Sequence, residues 1–236
     1  MKGPSVIQFD AGRRAHLAEI EDGDTVESAL DELGIRSKRP VLVLVGGAAS
    51  MGVETRRRSI VVMRDAVIPV CEQAGAAVVD GGTASGVMEV VGAAHDAAHA
   101  TFPLIGVAAV DTVRLPGDAG TADGRAELDA RHGYFLLVPG ARWGKESPWI
   151  VAVARALALP ARVVGIVVGG GDVTATDVRL LAAAGATVIG VSGTGGTADD
   201  LADRYARGDC SELTDVISWR ATDRLRVVLR HALDSP

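Results

Sequence analysis

The chain has 236 residues, with 24 basic against 30 acidic side chains and a formal net charge of −6. An acidic balance argues against a protein that tracks along nucleic acid, which needs a basic surface. The length fits one α/β domain with a small extension, and the 48% apolar content, mostly aliphatic, suffices for a large core.

The two cysteines, Cys71 and Cys210, lie far apart and match neither a disulfide framework nor a zinc site. Met1 to Ser5 carries no apolar leader segment, and the longest apolar run, Phe102 to Val110, is too short to span a bilayer. A cytoplasmic protein without membrane contact is expected.

Residues 1–39 stand apart. Ser5 to Asp10 reads as a short strand, and Asp24 to Glu27 opens a short helix that closes at Gly34. Pro40 then marks the end of an N-terminal extension packed on a main domain of residues 40–236. From Val41 the chain repeats one unit: apolar strand, glycine-rich turn, helix. Strands are predicted at 41–45, 76–80, 103–110, 134–138, 162–168 and 186–191. Helices are predicted near 52–74, 85–100, 148–158, 174–184, 197–206 and 212–233. Uninterrupted Val, Ile and Leu runs imply strands covered on both faces. The fold class is therefore α/β: a doubly wound, mostly parallel, Rossmann-like sheet with helices on both faces. Only 111–131, rich in Gly, Asp and Pro, breaks the rhythm and reads as a lid, a binding loop or a disordered connection.

Five glycine loops follow strands and precede helices, so all five are expected on one sheet edge. The first holds Gly46, Gly47, Ser50 and Met51; the second holds Gly81, Gly82, Thr83, Gly86 and Val87. The third runs through Gly140, Arg142, Trp143, Lys145 and Glu146, the fourth is Gly169-Gly170-Gly171, and the fifth is Ser192-Gly193-Thr194-Gly195 with Asp199 beyond it. Backbone without Cβ atoms, next to helix N-termini, suits a phosphate bound where strand order reverses. Two familiar phosphate motifs are missing. Gly47 to Gly52 has the Walker A spacing, but Val53 and Glu54 stand where Lys and Ser/Thr are required. The dinucleotide fingerprint, with an acid about 20 residues on, is not met either.

Gly81-Gly82-Thr83-Ala84-Ser85-Gly86-Val87-Met88 resembles the GGT-x-x-GVM stretch of the SLOG domain of TRPM channels. It is also similar to the GGG-x-x-GLM stretch of LOG-type phosphoribohydrolases. Asp129 to Phe135 resembles the D-P-N-H-x-H-F stretch of the TRPM domain, Arg142 to Glu146 its K-Y-G-x-E, and Gly193 to Ala202 its G-S-G-R-A-S-D-I-L-A. These stretches come in family order across 41–206, so the chain resembles the stand-alone prokaryotic form called LSDAT, or SLOG in TRPM. The resemblance implies a sensor for nucleotide-derived ligands such as ADP-ribose, with no resident cofactor or metal required. One departure is Gly196, which stands where the TRPM pattern has Arg.

Single residues keep more than one reading. Glu146 is a first-turn acid, a partner for a ribose hydroxyl, or, with Arg142, the acid/base of a nucleotide N-glycosidase as in LOG enzymes. Arg142 and Lys145 flank Trp143 either as plain surface charge or as phosphate and base contacts. Arg56 and Arg57 rank below them. His95 and His99 have metal-ligand spacing but no third ligand in sight, and His132, just ahead of the fourth strand, is expected at the edge opposite the glycine loops. Three functions follow: a ligand sensor whose output passes to an effector protein or to self-association, a nucleotide hydrolase, or an assembly protein with a vestigial pocket.

Overall fold

The structure, a computed structural model, describes residues 5–21, 23–47, 51–118, 124–158 and 162–234. Ser50 lies outside them, as do parts of the 111–131 connection.

Nine strands form one sheet. The first two, β1 (Ser5–Gln8) and β2 (Arg14–Glu19), come from the N-terminal segment. They are followed by β3 (Val41–Gly46), β4 (Ala77–Asp80) and β5 (Leu104–Ala109). Two short strands, β6 (Val113–Arg114) and β7 (Ala126–Glu127), pair separately. The main sheet resumes with β8 (Tyr134–Val138), β9 (Val163–Val168), β10 (Thr187–Ser192) and β11 (Asp215–Ser218). Its order is β1-β2-β8-β5-β4-β3-β9-β10-β11, parallel throughout except for the β1–β2 pair. The chain leaves β3 in one direction through β4, β5 and β8. It then returns to the other side of β3 at β9, and this reversal creates a crevice at the carboxyl edge.

The expected helices appear with small shifts. On one face lie α1 (Val26–Glu32), α5 (Ser147–Ala158), α6 (Asp172–Ala183) and α7 (Gly196–Ala206). On the other lie α2 (Val53–Val62), α3 (Ile68–Ala74), α4 (Gly86–Ala97) and α8 (Thr222–Asp234). Alternate β3 residues feed the two cores: Val41, Val43 and Val45 face one, Leu42 and Leu44 the other. All five are buried, and each contributes about 1.5–3 kcal/mol by leaving water. Local signals set the helix ends. Thr25 and Ser28 form a reciprocal capping box on α1. A π-helical turn, Met63–Val67, joins α2 to α3 just ahead of Pro69, which has no N–H to give the ladder.

Two expectations need correction. The helix expected over 212–233 starts only at Thr222, because Asp215–Ser218 pairs in register with β10 and completes the sheet. The N-terminal segment supplies a second strand, β2, which lies parallel to β8 with His16 opposite Tyr134.

Candidate functional site

All the described glycine junctions emerge at the carboxyl edge of the sheet, but they are not equivalent. One crevice of about 330 Å³ opens there. Gly46 and Gly47 after β3, Gly81 and Thr83 after β4, Trp143 and Glu146 after β8, and Gly171 after β9 all line it. Its walls are otherwise mostly apolar: Leu44, Val45, Met88, Ala108, Ile150 and Val173. Asp172, Thr174 and Asp177 of α6 complete it, and among the described residues no basic side chain lines it.

Much of the backbone that a phosphate might use is already engaged by the chain's own side chains. Asp80 Oδ1 accepts the Gly82 N–H at 2.7 Å. Both oxygens of Glu146 accept the Gly144 N–H at 3.0 Å. Asp199 accepts the Gly193 N–H at 2.5 Å and the Gly195 N–H at 3.0 Å, so the fifth loop closes around its own carboxylate. The fourth and fifth loops are also tied together. The Gly169 N–H donates to Thr194 Oγ1 at 2.9 Å, and the Thr197 hydroxyl donates to the Gly171 carbonyl at 2.9 Å. Gly193 and Gly195 thus wrap Asp199 and Thr194 holds the fourth loop, while the Ser192 carbonyl accepts the Trp219 N–H; none of the four lines the crevice. At the crevice, the first turns of α4 and α6 have N-cap residues, Ser85 and Gly171, that make no side-chain cap, although the Val87 N–H of α4 is spent on the Gly47 carbonyl. The other N–H groups of those turns are the anion donors that remain.

Two glycines have packing reasons. A Cβ on Gly82 would stand 2.7 Å from the Gly106 Cα and 3.0 Å from the Phe135 ring, so Gly82 is small because β5 and β8 crowd it. Gly196 has φ +54°, and a Cβ there would stand 2.1 Å from the Gly170 carbonyl oxygen. The arginine of the TRPM pattern has no room at that position. Gly86 and Val87 are buried at the start of α4, with the Val87 N–H donating to the Gly47 carbonyl at 2.9 Å. Met51 packs beside the α2–α4 core. Gly140 sits against Lys145 and Ala109, while Gly169 and Gly170 take positive φ in the turn after β9.

The charged candidates divide. Arg142 and Lys145 are exposed at the rim, beside Trp143, which is 48% exposed at the mouth. Glu146 is only 7% exposed and lines the wall. Arg56 is committed to Glu89 through two bonds of 2.7 and 2.8 Å, which also hold the Glu89 carboxyl below its usual range. Arg57 is exposed, and Arg58 donates to the Gly193 carbonyl at 2.6 Å. His95 is spent on the Phe102 carbonyl at 3.0 Å. Among the described residues no three His, Cys, Asp or Glu side chains gather as metal ligands.

His132 lies elsewhere than expected. Strand β4 ends at Asp80, directly ahead of its glycine loop, and the segment ahead of β8 folds under that loop, with the Asp129 N–H on the Gly82 carbonyl at 2.9 Å. The imidazole therefore reaches Asp80, at 2.9 Å, and is fully buried between Asp80 and Asp129. Burial would push the imidazolium down, but the charge of Asp80, the bond to it and the nearby Asp129 carboxylate, 3.9 Å away, outweigh it and hold His132 up at about 9.

Asp177 carries no motif and escaped the sequence reading. A signal was present: Thr174, Asp177, Val178 and Leu181 form the buried stripe of α6, and a carboxyl on that stripe is out of pattern. Burial pushes Asp177 up to about 6, the Glu146 charge adds to this, and the Ser147 hydroxyl opposes it.

Among known proteins, the family profile described as "SLOG in TRPM, prokaryote" matches residues 39–230, from just ahead of β3 into α8. The same fold occurs in the molybdenum cofactor binding protein from the phototrophic bacterium Rippkaea orientalis. That protein is 15% identical with a TM-score of 0.54, over 81% of this chain and 98% of that one. The X-ray structure of TM1055 is 21% identical with a TM-score of 0.49, over 79% of this chain and 97% of that one. A search of curated protein sequences finds no match. No helix among the described residues is long and apolar enough to cross a membrane.

Proposed function

The chain belongs to the family described as SLOG in TRPM, prokaryote, and from that premise we propose that it binds a nucleotide-derived, phosphate-bearing ligand in the carboxyl-edge crevice. The observation that carries this reading is a single crevice, at the reversal of strand order, walled by the junctions after β3, β4, β8 and β9. Its apolar walls suit a base and its acidic groups suit a sugar. The phosphate then belongs at the rim, on the first turns of α4 and α6, which lack side-chain caps, with Arg142 and Lys145 exposed on the loop that carries Trp143 and Glu146. ADP-ribose and AMP are the first ligands to test. A sensor of this kind passes its signal to an effector protein or through self-association.

A second reading, hydrolysis of an N-glycosidic bond, draws on one observation. Glu146 and Asp177 are two largely buried carboxyl groups on one wall, and burial pushes Asp177 up into the range of a proton donor. Incubation with AMP, NAD and ADP-ribose, followed by product analysis and melting curves, separates the two. Unchanged nucleotide with a raised melting temperature supports the binder. Turnover abolished by Glu146→Gln supports the hydrolase, and neither effect with any of the three overturns both.

A further inference from the structure

The crevice has a polar wall that the glycine loops do not explain. Asp177 lines it and is 8% exposed, yet its Oδ1 has no hydrogen-bond partner. The Oγ of Ser147, the residue next to Glu146, also has no hydrogen-bond partner; it is 1% exposed and stands outside the crevice lining. The two groups are neighbours, since the Ser147 hydroxyl draws the Asp177 carboxyl down, yet they close no hydrogen bond of good geometry, and buried polar atoms left in that state are costly in a folded chain. The cost is offset when a ligand completes them. An anion is unsuited to the place, because Asp177, Glu146 and Asp172 all line the same crevice and no basic side chain among the described residues does. A metal ion lacks a ligand set among the described residues. An apolar group would leave both atoms unpaired. The remaining chemistry is a hydrogen-bond donor.

We propose that Asp177 and Ser147 form a subsite for a hydrogen-bond donor of the ligand, a sugar hydroxyl or an amino group, and that this subsite rejects ligands phosphorylated at that end. The proposal rests on the nucleotide reading above and adds to it the determinant of which nucleotides fit. Asp177 acts by contact with the ligand, whereas Glu146 already spends both oxygens on the Gly144 N–H.

The test uses the full chain and its Asp177→Leu and Asp177→Asn variants, titrated calorimetrically with five probes. These are AMP, its 2′-deoxy and 3′-deoxy forms, purine riboside monophosphate, which lacks the amino group, and adenosine 3′,5′-bisphosphate. Loss of the donor that faces Asp177 is expected to weaken binding to the wild type about 10-fold or more, while Asp177→Leu no longer distinguishes that probe from AMP. The arm that loses affinity, sugar or base, identifies the donor. The bisphosphate is expected to bind the wild type more weakly than AMP does. Equal discrimination by the wild type and both variants overturns the subsite. In the absence of ligand, Asp177→Leu is expected to raise the melting temperature by about 2–4 °C, because it removes an unpaired carboxyl. A lower melting temperature in both variants reveals a structural partner for Asp177 and overturns the subsite whatever the nucleotides do. If no probe binds the wild type while Asp177→Leu still melts higher, the nucleotide reading fails and the donor-seeking subsite stands.

Discussion

Nε2 of His132 lies 2.9 Å from Oδ1 of Asp80, although the two residues are 52 positions apart in the chain. The same Asp80 oxygen holds the Gly82 N–H, so the pair anchors the second glycine loop from beneath. Arg131 closes the group by binding Asp129 at 2.6 Å. A buried ion pair of this kind adds little net stability over an apolar pair, but breaking it leaves an uncompensated charge.

His132→Ala should therefore destabilise the fold by about 3–5 kcal/mol, measured by urea unfolding at pH 6. The imidazole is held up at about 9 against an ordinary 6.5. Its contribution is thus complete below pH 6.5 and is lost as pH rises through 9. The gap between wild type and variant should narrow over that interval, and a gap independent of pH would contradict the assignment.

Gly196→Arg, which restores the TRPM residue, should not create a phosphate contact. The position has φ +54° and the Gly170 carbonyl where the Cβ would go. The variant should lose about 1–3 kcal/mol or more and melt lower, with no gain in nucleotide affinity. Unchanged melting with tighter binding would show that the loop can reopen.

The parts of the fold legible in the sequence are those where one local rule acts alone. The runs Val41 to Val45 and Val163 to Val168 are buried on both faces and announce parallel strands. Strand β2 was harder, since Arg14 to Glu19 alternates polar and apolar residues over a single short span. Strand β11 was hidden because Asp215–Ser218 is a four-residue edge strand, only partly buried, with β10 as its one sheet neighbour. At the site, glycine-rich turns marked the right edge. They did not reveal which turns were already filled, because Asp199 and Asp80 read as ordinary acids until their partners are known.

Asp177 should make stability fall as pH rises. Its carboxyl is raised from an ordinary 3.8 to about 6, chiefly by burial. The folded state therefore holds the proton more tightly than the unfolded chain between those values. The contribution of Asp177 is most favourable below pH 4, declines through pH 6 and levels off above it, a loss of roughly 3 kcal/mol at about 1.4 kcal/mol per unit. Urea unfolding of Asp177→Asn at pH 4, 5, 6 and 7 should lack that decline, and profiles parallel to wild type would refute it.

The most direct measurement of nucleotide binding at the crevice uses Gly171, which lines it at the N-cap of α6. No atom lies within 4 Å of the place a Cβ would take there. Gly171→Asp supplies a favoured capping side chain, so stability should hold or rise by up to about 1 kcal/mol, while its carboxylate occupies the donors a phosphate would need. Calorimetric titration with ADP-ribose and AMP should give saturable binding to the wild type and at least about 10-fold weaker binding to this equally stable variant. Equal affinity in the two proteins, or no binding to the wild type, would contradict the account.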